Sequence, residues 1–176
     1  MRWFWIDKFV EFTPRVSGTA VKCCSQAEEQ VHDLYPDFPI LPHSLIVEGM
    51  AQTAGLIVGE AREYREKVIL AKVGKAVFHR LVRPGDTLLF HATVDQLNEQ
   101  GASISGRVVL AKNQQTEARD IADEGDAHSL VAEIELMFSH IDQNMGGVKF
   151  PEHNFVFTDR FIDLLANFRA DKPVKL

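Results

Sequence analysis

The chain is short of cysteine. Cys23 and Cys24 are the only two, and they are adjacent. Neighbouring side chains on a strand point to opposite faces, so no disulfide is expected between them. No spacing suited to a metal ion is present, and the thiols read as ordinary reduced groups with no metal or cofactor implied. Positive charge is also scarce: 19 lysines and arginines stand against 25 aspartates and glutamates, a formal net charge of −6. That balance argues against nucleic acid or an anionic membrane surface as partner. No apolar run reaches the roughly 20 residues of a membrane-spanning helix. The opening MRWFWIDKF has neither the apolar stretch nor the cleavage site of a secretory signal, so the expected location is cytoplasmic. What is present is 176 residues, 45% hydrophobic, a length for one domain with a sizeable core.

Prolines are few, seven in all, and three of them crowd into the stretch the rest is organised around, Tyr35 to Glu60, YPDFPILPHSLIVEGMAQTAGLIVGE. Pro36, Pro39 and Pro42 lack backbone donors and push the residues before them into extended conformations, so the helix is expected after Pro42, capped by Ser44 or His43. From Leu45 to Val58 the apolar residues keep to no single stripe, the pattern of a buried helix. Glu48 and Gln52 break it. Their i, i+4 spacing puts both on one face, and a carboxylate in such a helix needs a partner. A carboxyl of this kind is a site candidate.

Around this helix the pattern is of strands. Trp3 to Phe12 and Thr19 to Cys24 read as a hairpin with Pro14 and Gly18 as turn signals, and Asp7 as a structural acceptor. Gln26 to Asp33 is polar, either a surface segment or a short helix. Val68 to Val73, Gly74 to Arg83, Thr87 to Leu97, Ala102 to Ala111 and Leu130 to His140 follow as strands of a meander. Pro84 to Asp86 and Asn98 to Gly101 are their turns. Lys112 to Ser129 is polar and expected to be a mobile loop or a short exposed helix. Gln143 to Gly147 reads as a linker, and Thr158 to Arg169 as an amphipathic helix, with Thr158 as N-cap, that packs on the body or on a partner subunit. The fold class is α+β, one antiparallel sheet and one buried helix.

These blocks resemble the β-hydroxyacyl-acyl carrier protein dehydratases of fatty acid synthesis. The likeness is carried by YPDFPILPHSLIVEGMAQTAG, by the strands WFWIDKFVEF and TAVKCCS, and by AKVGKAVFHRLVRPGDTLLFHATV, and it spans about Phe4 to His140. It implies the hot-dog fold, an antiparallel sheet wrapped around one central helix, over residues 1–142, with 143–176 as a C-terminal extension. It also implies a homodimer or higher homo-oligomer and an acyl thioester substrate on acyl carrier protein or CoA. In that family a loop histidine takes the α-proton, a helix glutamate from the other subunit protonates the leaving hydroxyl, and a backbone N–H at the helix start holds the thioester carbonyl. By correspondence Glu48 is the acid, while Pro42, Ser44 and Gln52 are expected to bind substrate.

The loop departs from the family pattern. Leu34 stands at the histidine position, Asp37 at the first glycine and His43 at the second. Leu34 cannot move a proton. Three accounts follow: His43 has taken over as base, His32 reaches the site through a shift of the loop, or the elimination chemistry is lost. A thioesterase, in which one helix carboxylate activates water, needs no loop histidine. A non-catalytic acyl-binding subunit needs neither group. His79, His91 and His140 are expected to line the sheet or face solvent.

Overall fold

A computed structural model of the protein describes residues 3–111, 129–141, 147, 151 and 153–170. In chain order the elements are β1 (Lys8–Thr13), β2 (Ser17–Cys23), α1 (Gln30–Asp33), α2 (His43–Glu60), β3 (Val68–Phe78), β4 (Thr87–Leu97), β5 (Gly101–Leu110), β6 (Leu130–His140) and α3 (Asp159–Ala170). The six strands form one antiparallel sheet in the order β1-β2-β4-β5-β6-β3. Period-two alternation puts Leu88, Phe90 and Ala92 of β4, Ile104 and Val108 of β5, and Ile134 and Leu136 of β6 on the inner face, all buried. That face wraps α2.

Buried residues of α2 include Ile46, Met50, Leu56, Ile57 and Val58, which fall on all sides of the helix. Burying one such side chain contributes about 1.5–3 kcal/mol, whereas an N-cap contributes about 1 kcal/mol. Burial therefore holds α2, and the helix does without a side-chain cap: Pro42 occupies the N-cap position with ψ 137°. The expected cap at Ser44 or His43 is corrected, because the Pro42 carbonyl already takes the Leu45 and Ile46 amides at 2.9 and 3.3 Å. Helix and sheet approach closely at Gly49, where a Cβ would lie 2.5 Å from Phe90 Cζ.

The strand reading holds for β4 and β6 and, to within one residue, for β5, and needs correction elsewhere. β1 starts at Lys8, not Trp3, because the Trp3 and Trp5 backbone groups bond to a helix side chain instead of a strand. In the β1–β2 turn the left-handed residue is Arg15 (φ 62°), while Gly18 lies within β2. The two strands expected between Val68 and Arg83 are one, β3, with register shifts at Leu70/Lys72 and Val73/Lys75; Gly74 sits in the second, as a bulge allows. The strands after α2 are also not a simple meander, since β3 pairs with β6 at the sheet edge. Gly85 (φ +99°) turns the chain into β4. Asn98 closes the β4–β5 hairpin by accepting the Gln100 and Gly101 amides at its side-chain oxygen. Asp7 accepts the Cys23 amide at 2.6 Å, the structural role expected of it. Both cysteines are free, Cys23 exposed and Cys24 buried.

The short-helix alternative for Gln26–Asp33 is realised as α1. The Lys112–Ser129 stretch and the Gln143–Gly147 linker lie outside the described residues, apart from Ser129 and Gly147. The tail packs on the body. Asn154 donates to the carbonyls of Tyr64 and Glu66, in a turn where Glu63 and Tyr64 both have positive φ. Phe157 stacks over Gly59, and Phe161 and Leu165 of α3 are buried. The Thr158 carbonyl accepts the Phe161 and Ile162 amides, which begins the helix where the sequence places it.

Candidate active site

The polar pair on α2 is joined as its spacing predicts. Gln52 Nε2 donates to Glu48 Oε1 at 2.8 Å. Gln52 is buried, 2% exposed, and its other bonds run to the N-terminal segment: Oε1 accepts the Trp5 amide at 2.8 Å, and Nε2 donates to the Trp3 carbonyl at 3.2 Å. Glu48 is half-buried, beside the buried Gly49 and one turn before the buried Gln52, so it is reachable from outside the core. An acid oriented by a buried amide and open on one side can give or take a proton.

His43 opens α2, and its ring stacks on Phe78 at the end of β3, centroids 4.1 Å apart and planes within 2°. Five residues separate it from Glu48, a rotation of about 140° around a helix of 3.6 residues per turn. Within one protomer the two groups therefore sit on different sides of α2: His43 towards the β3 edge, Glu48 towards the Trp3–Trp5 segment. His32 lies in α1, half-buried, its Nε2 2.9 Å from the Gln26 carbonyl, a contact that ties the ring to its own loop. Leu34 follows α1 with its side chain 60% exposed. Pro42 is buried and Ser44 exposed. The amides of His43 and Ser44 precede the first backbone donor of the helix, Leu45. Helix-start amides of this kind suit a developing oxyanion. A shallow groove nearby is lined by Gln26, Phe38, Pro39, Arg83 and Pro84, with the Arg83 guanidinium over the Phe38 ring.

His91 and His140 belong to the sheet, and His79 directly follows the end of β3. His79 Nε2 lies 3.5 Å from Glu133. His91 Nδ1 meets Thr19 Oγ1 at 2.9 Å, and that hydroxyl also reaches Glu11 at 2.9 Å; burial pushes the His91 imidazole below its ordinary value. His140 is fully buried, its Nδ1 2.7 Å from Glu66. Burial, with Glu28 beside it, pushes the Cys24 thiol up to about 11, which makes it a poor nucleophile. The sequence missed the backbone groups of Trp3 and Trp5 that hold Gln52, and the Phe78 ring under His43. Neither has a signal in residue type: one is main chain, the other a strand aromatic that is a neighbour only in space.

A curled antiparallel sheet around a buried helix, with an oriented acid on that helix, is the hot-dog class. The structure of smu.793 from Streptococcus mutans UA159, solved with acetyl CoA bound, superposes with a TM-score of 0.57 at 13% identity, covering 79% of this chain and 91% of that one. Residues 16–118 match the FabA-like domain. The chain is 31% identical over 134 residues to a 3-hydroxyacyl-acyl-carrier-protein dehydratase FabZ of Caldanaerobacter subterraneus, covering 76% of this chain and 84% of that protein. It is 37% identical over 93 residues to one from Rickettsia bellii, covering 52% of this chain and 64% of that relative's length. The chain belongs to the FabA-like hydroxyacyl-acyl carrier protein dehydratase family of hot-dog domains. Among the described residues no helix is long and apolar enough to cross a membrane.

Proposed function

We propose that this protein dehydrates β-hydroxyacyl thioesters carried on acyl carrier protein, as a homodimer in the cytoplasm, with residues 1–142 as the hot-dog domain and 143–176 as its extension. Glu48 protonates the leaving β-hydroxyl. A base takes the α-proton, the C–O bond breaks, the α–β double bond forms and water departs. His43 of a second copy is that base; the amide of Ser44, behind Pro42, faces the thioester carbonyl, and Gln52 aims the acid. His32, tied to Gln26, is the weaker base candidate. The observation that carries this reading is the Gln52–Glu48 bond on the central helix of a FabA-like domain. The second copy is supported by β3, an edge strand with one side unpaired and Leu70, Val73 and Val77 exposed along it, next to the Phe78–His43 stack.

A second reading is favoured by the exposed Leu34 and by His43 lying across the helix from Glu48. It is a thioesterase in which Glu48 alone activates water and CoA thioesters serve as substrate. Purified protein with a β-hydroxyacyl-acyl carrier protein should yield the enoyl product, and Glu48→Ala should lower kcat/KM by roughly 10²–10⁴, the usual contribution of general acid–base catalysis. His43→Ala should fall in the same range. Release of free thiol without enoyl product, lost in Glu48→Gln and kept in His43→Ala, selects the thioesterase. Acyl binding without either product selects a non-catalytic subunit.

A further inference from the structure

A glutamine amide can present either its oxygen or its NH2 group to a neighbour by turning about its last torsion. Gln52 has no such freedom. The Trp3–Trp5 strap offers it a donor, the Trp5 amide, and an acceptor, the Trp3 carbonyl, and only one orientation satisfies both. That orientation turns an N–H, never the carbonyl, towards Glu48. The strap is in turn held from behind. Phe4 stacks on Phe161 of α3, centroids 5.8 Å apart and planes within 14°. Phe161 stacks on Phe157, which lies over Gly59 and meets Tyr64 edge-on. Asn154 fastens the root of this cluster to the turn after α2, and Arg169 at the far end of α3 pairs with Glu60. Strap and α3 both lie outside residues 16–118, the part matched by the FabA-like domain.

We propose that α3 is a positioning element for the Glu48 carboxyl. The Phe161–Phe4 contact holds the strap, the strap sets the Gln52 amide, and the amide keeps Glu48 in one rotamer. Phe161, Phe4 and Gln52 are positioning residues. The catalytic consequence rests on the proposed role of Glu48; the mechanical linkage does not.

The test uses the full chain as wild type, Phe161→Ala, Phe161→Leu and Phe4→Ala. Phe4 is only half-buried, so its truncation spares the core if Phe161→Ala fails to fold. Hydrogen exchange is read at the Trp5 amide, with the Phe90 amide in the centre of β4 as core reference. Trp5 exchange should accelerate by roughly tenfold in the alanine variants with Phe90 unchanged, a local opening rather than a global one. Phe161→Leu should restore most of the protection. With turnover, kcat should fall while KM stays, since orientation of the acid matters in the transition state. Unchanged Trp5 exchange in Phe4→Ala overturns the proposal, as does equal acceleration at Trp5 and Phe90 in that variant. An active wild type whose kcat is untouched when Trp5 opens overturns the catalytic half. If the wild type turns over neither a hydroxyacyl nor an acyl thioester, the functional reading fails, and the exchange data alone decide whether α3 holds the strap.

Discussion

Gln52 shows how much one residue's role depends on burial. On an exposed helix an i, i+4 pair such as Glu48 and Gln52 stabilises by about 0.2–0.5 kcal/mol. Here the glutamine is buried and also satisfies two main-chain groups of the strap, and an orphaned buried polar group costs about 1–3 kcal/mol. The strap bonds therefore outweigh the bond to Glu48 in fixing the amide. His91 illustrates the opposite case, a histidine whose setting disfavours its charge. It faces Thr19 of β2, Glu11 of β1 and Arg107 of β5; burial lowers its pKa most, Arg107 lowers it further, and Glu11 opposes both. A histidine with a folded pKa below the unfolded 6.5 contributes stability that is full above pH 6.5 and lost as pH falls through the folded value, because the unfolded chain binds the extra proton. Urea midpoints of the wild type should therefore drop below pH 6.5, and His91→Gln should flatten that part of the profile. Parallel profiles for the two proteins would show that His91 is not the group responsible.

At the scale of elements, the spacing between α2 and the sheet is set by glycines. Propensity alone makes Gly49→Ala stabilising by about 1 kcal/mol in a helix interior. The added Cβ would lie within 2.5–3.0 Å of three atoms of the buried Phe90 ring, and overpacking of a rigid ring costs about 1–3 kcal/mol. The steric term wins, so Gly49→Ala should lower the unfolding free energy by up to about 2 kcal/mol. Gly106 makes a similar approach from β5, but its obstacle is the flexible end of Met50, with Sδ at 2.5 Å. A thioether moves where a ring cannot, so Gly106→Ala should cost less than Gly49→Ala. Chemical denaturation of the two variants checks the order; a Gly49→Ala protein more stable than wild type would mean that α2 is free to shift away from the sheet.

At the scale of the whole molecule, β1 and β3 are the two sheet edges, and β3 is the one beside His43. It is exposed along most of its length, with Leu70 38%, Val73 41% and Val77 36% exposed. A long apolar edge left bare is an aggregation hazard, and pairing with another copy removes it. The double variant Val73→Lys, Val77→Lys should sediment as a monomer where the wild type sediments as a dimer, with the far-UV dichroism kept. Since His43 and Phe78 lie beside that edge, the variant that loses dimerisation should also lose turnover. A wild type that sediments as a monomer at micromolar concentration would contradict the two-copy site.

The buried helix, its start after Pro42, the Glu48–Gln52 pairing and the strands β4 and β6 were readable in the chain itself. Each rests on short-range rules: proline geometry, an i, i+4 face, period-two alternation. The crossover of β3 to β6, the Trp3–Trp5 strap and the seating of α3 were not. They depend on backbone groups and ring contacts between segments far apart in sequence, such as Gln52 with Trp5 and Phe161 with Phe4. His43 and Glu48 show the division most plainly. Residue type nominates both as proton-transfer groups, but only the packing around α2 decides which side of the helix each one faces.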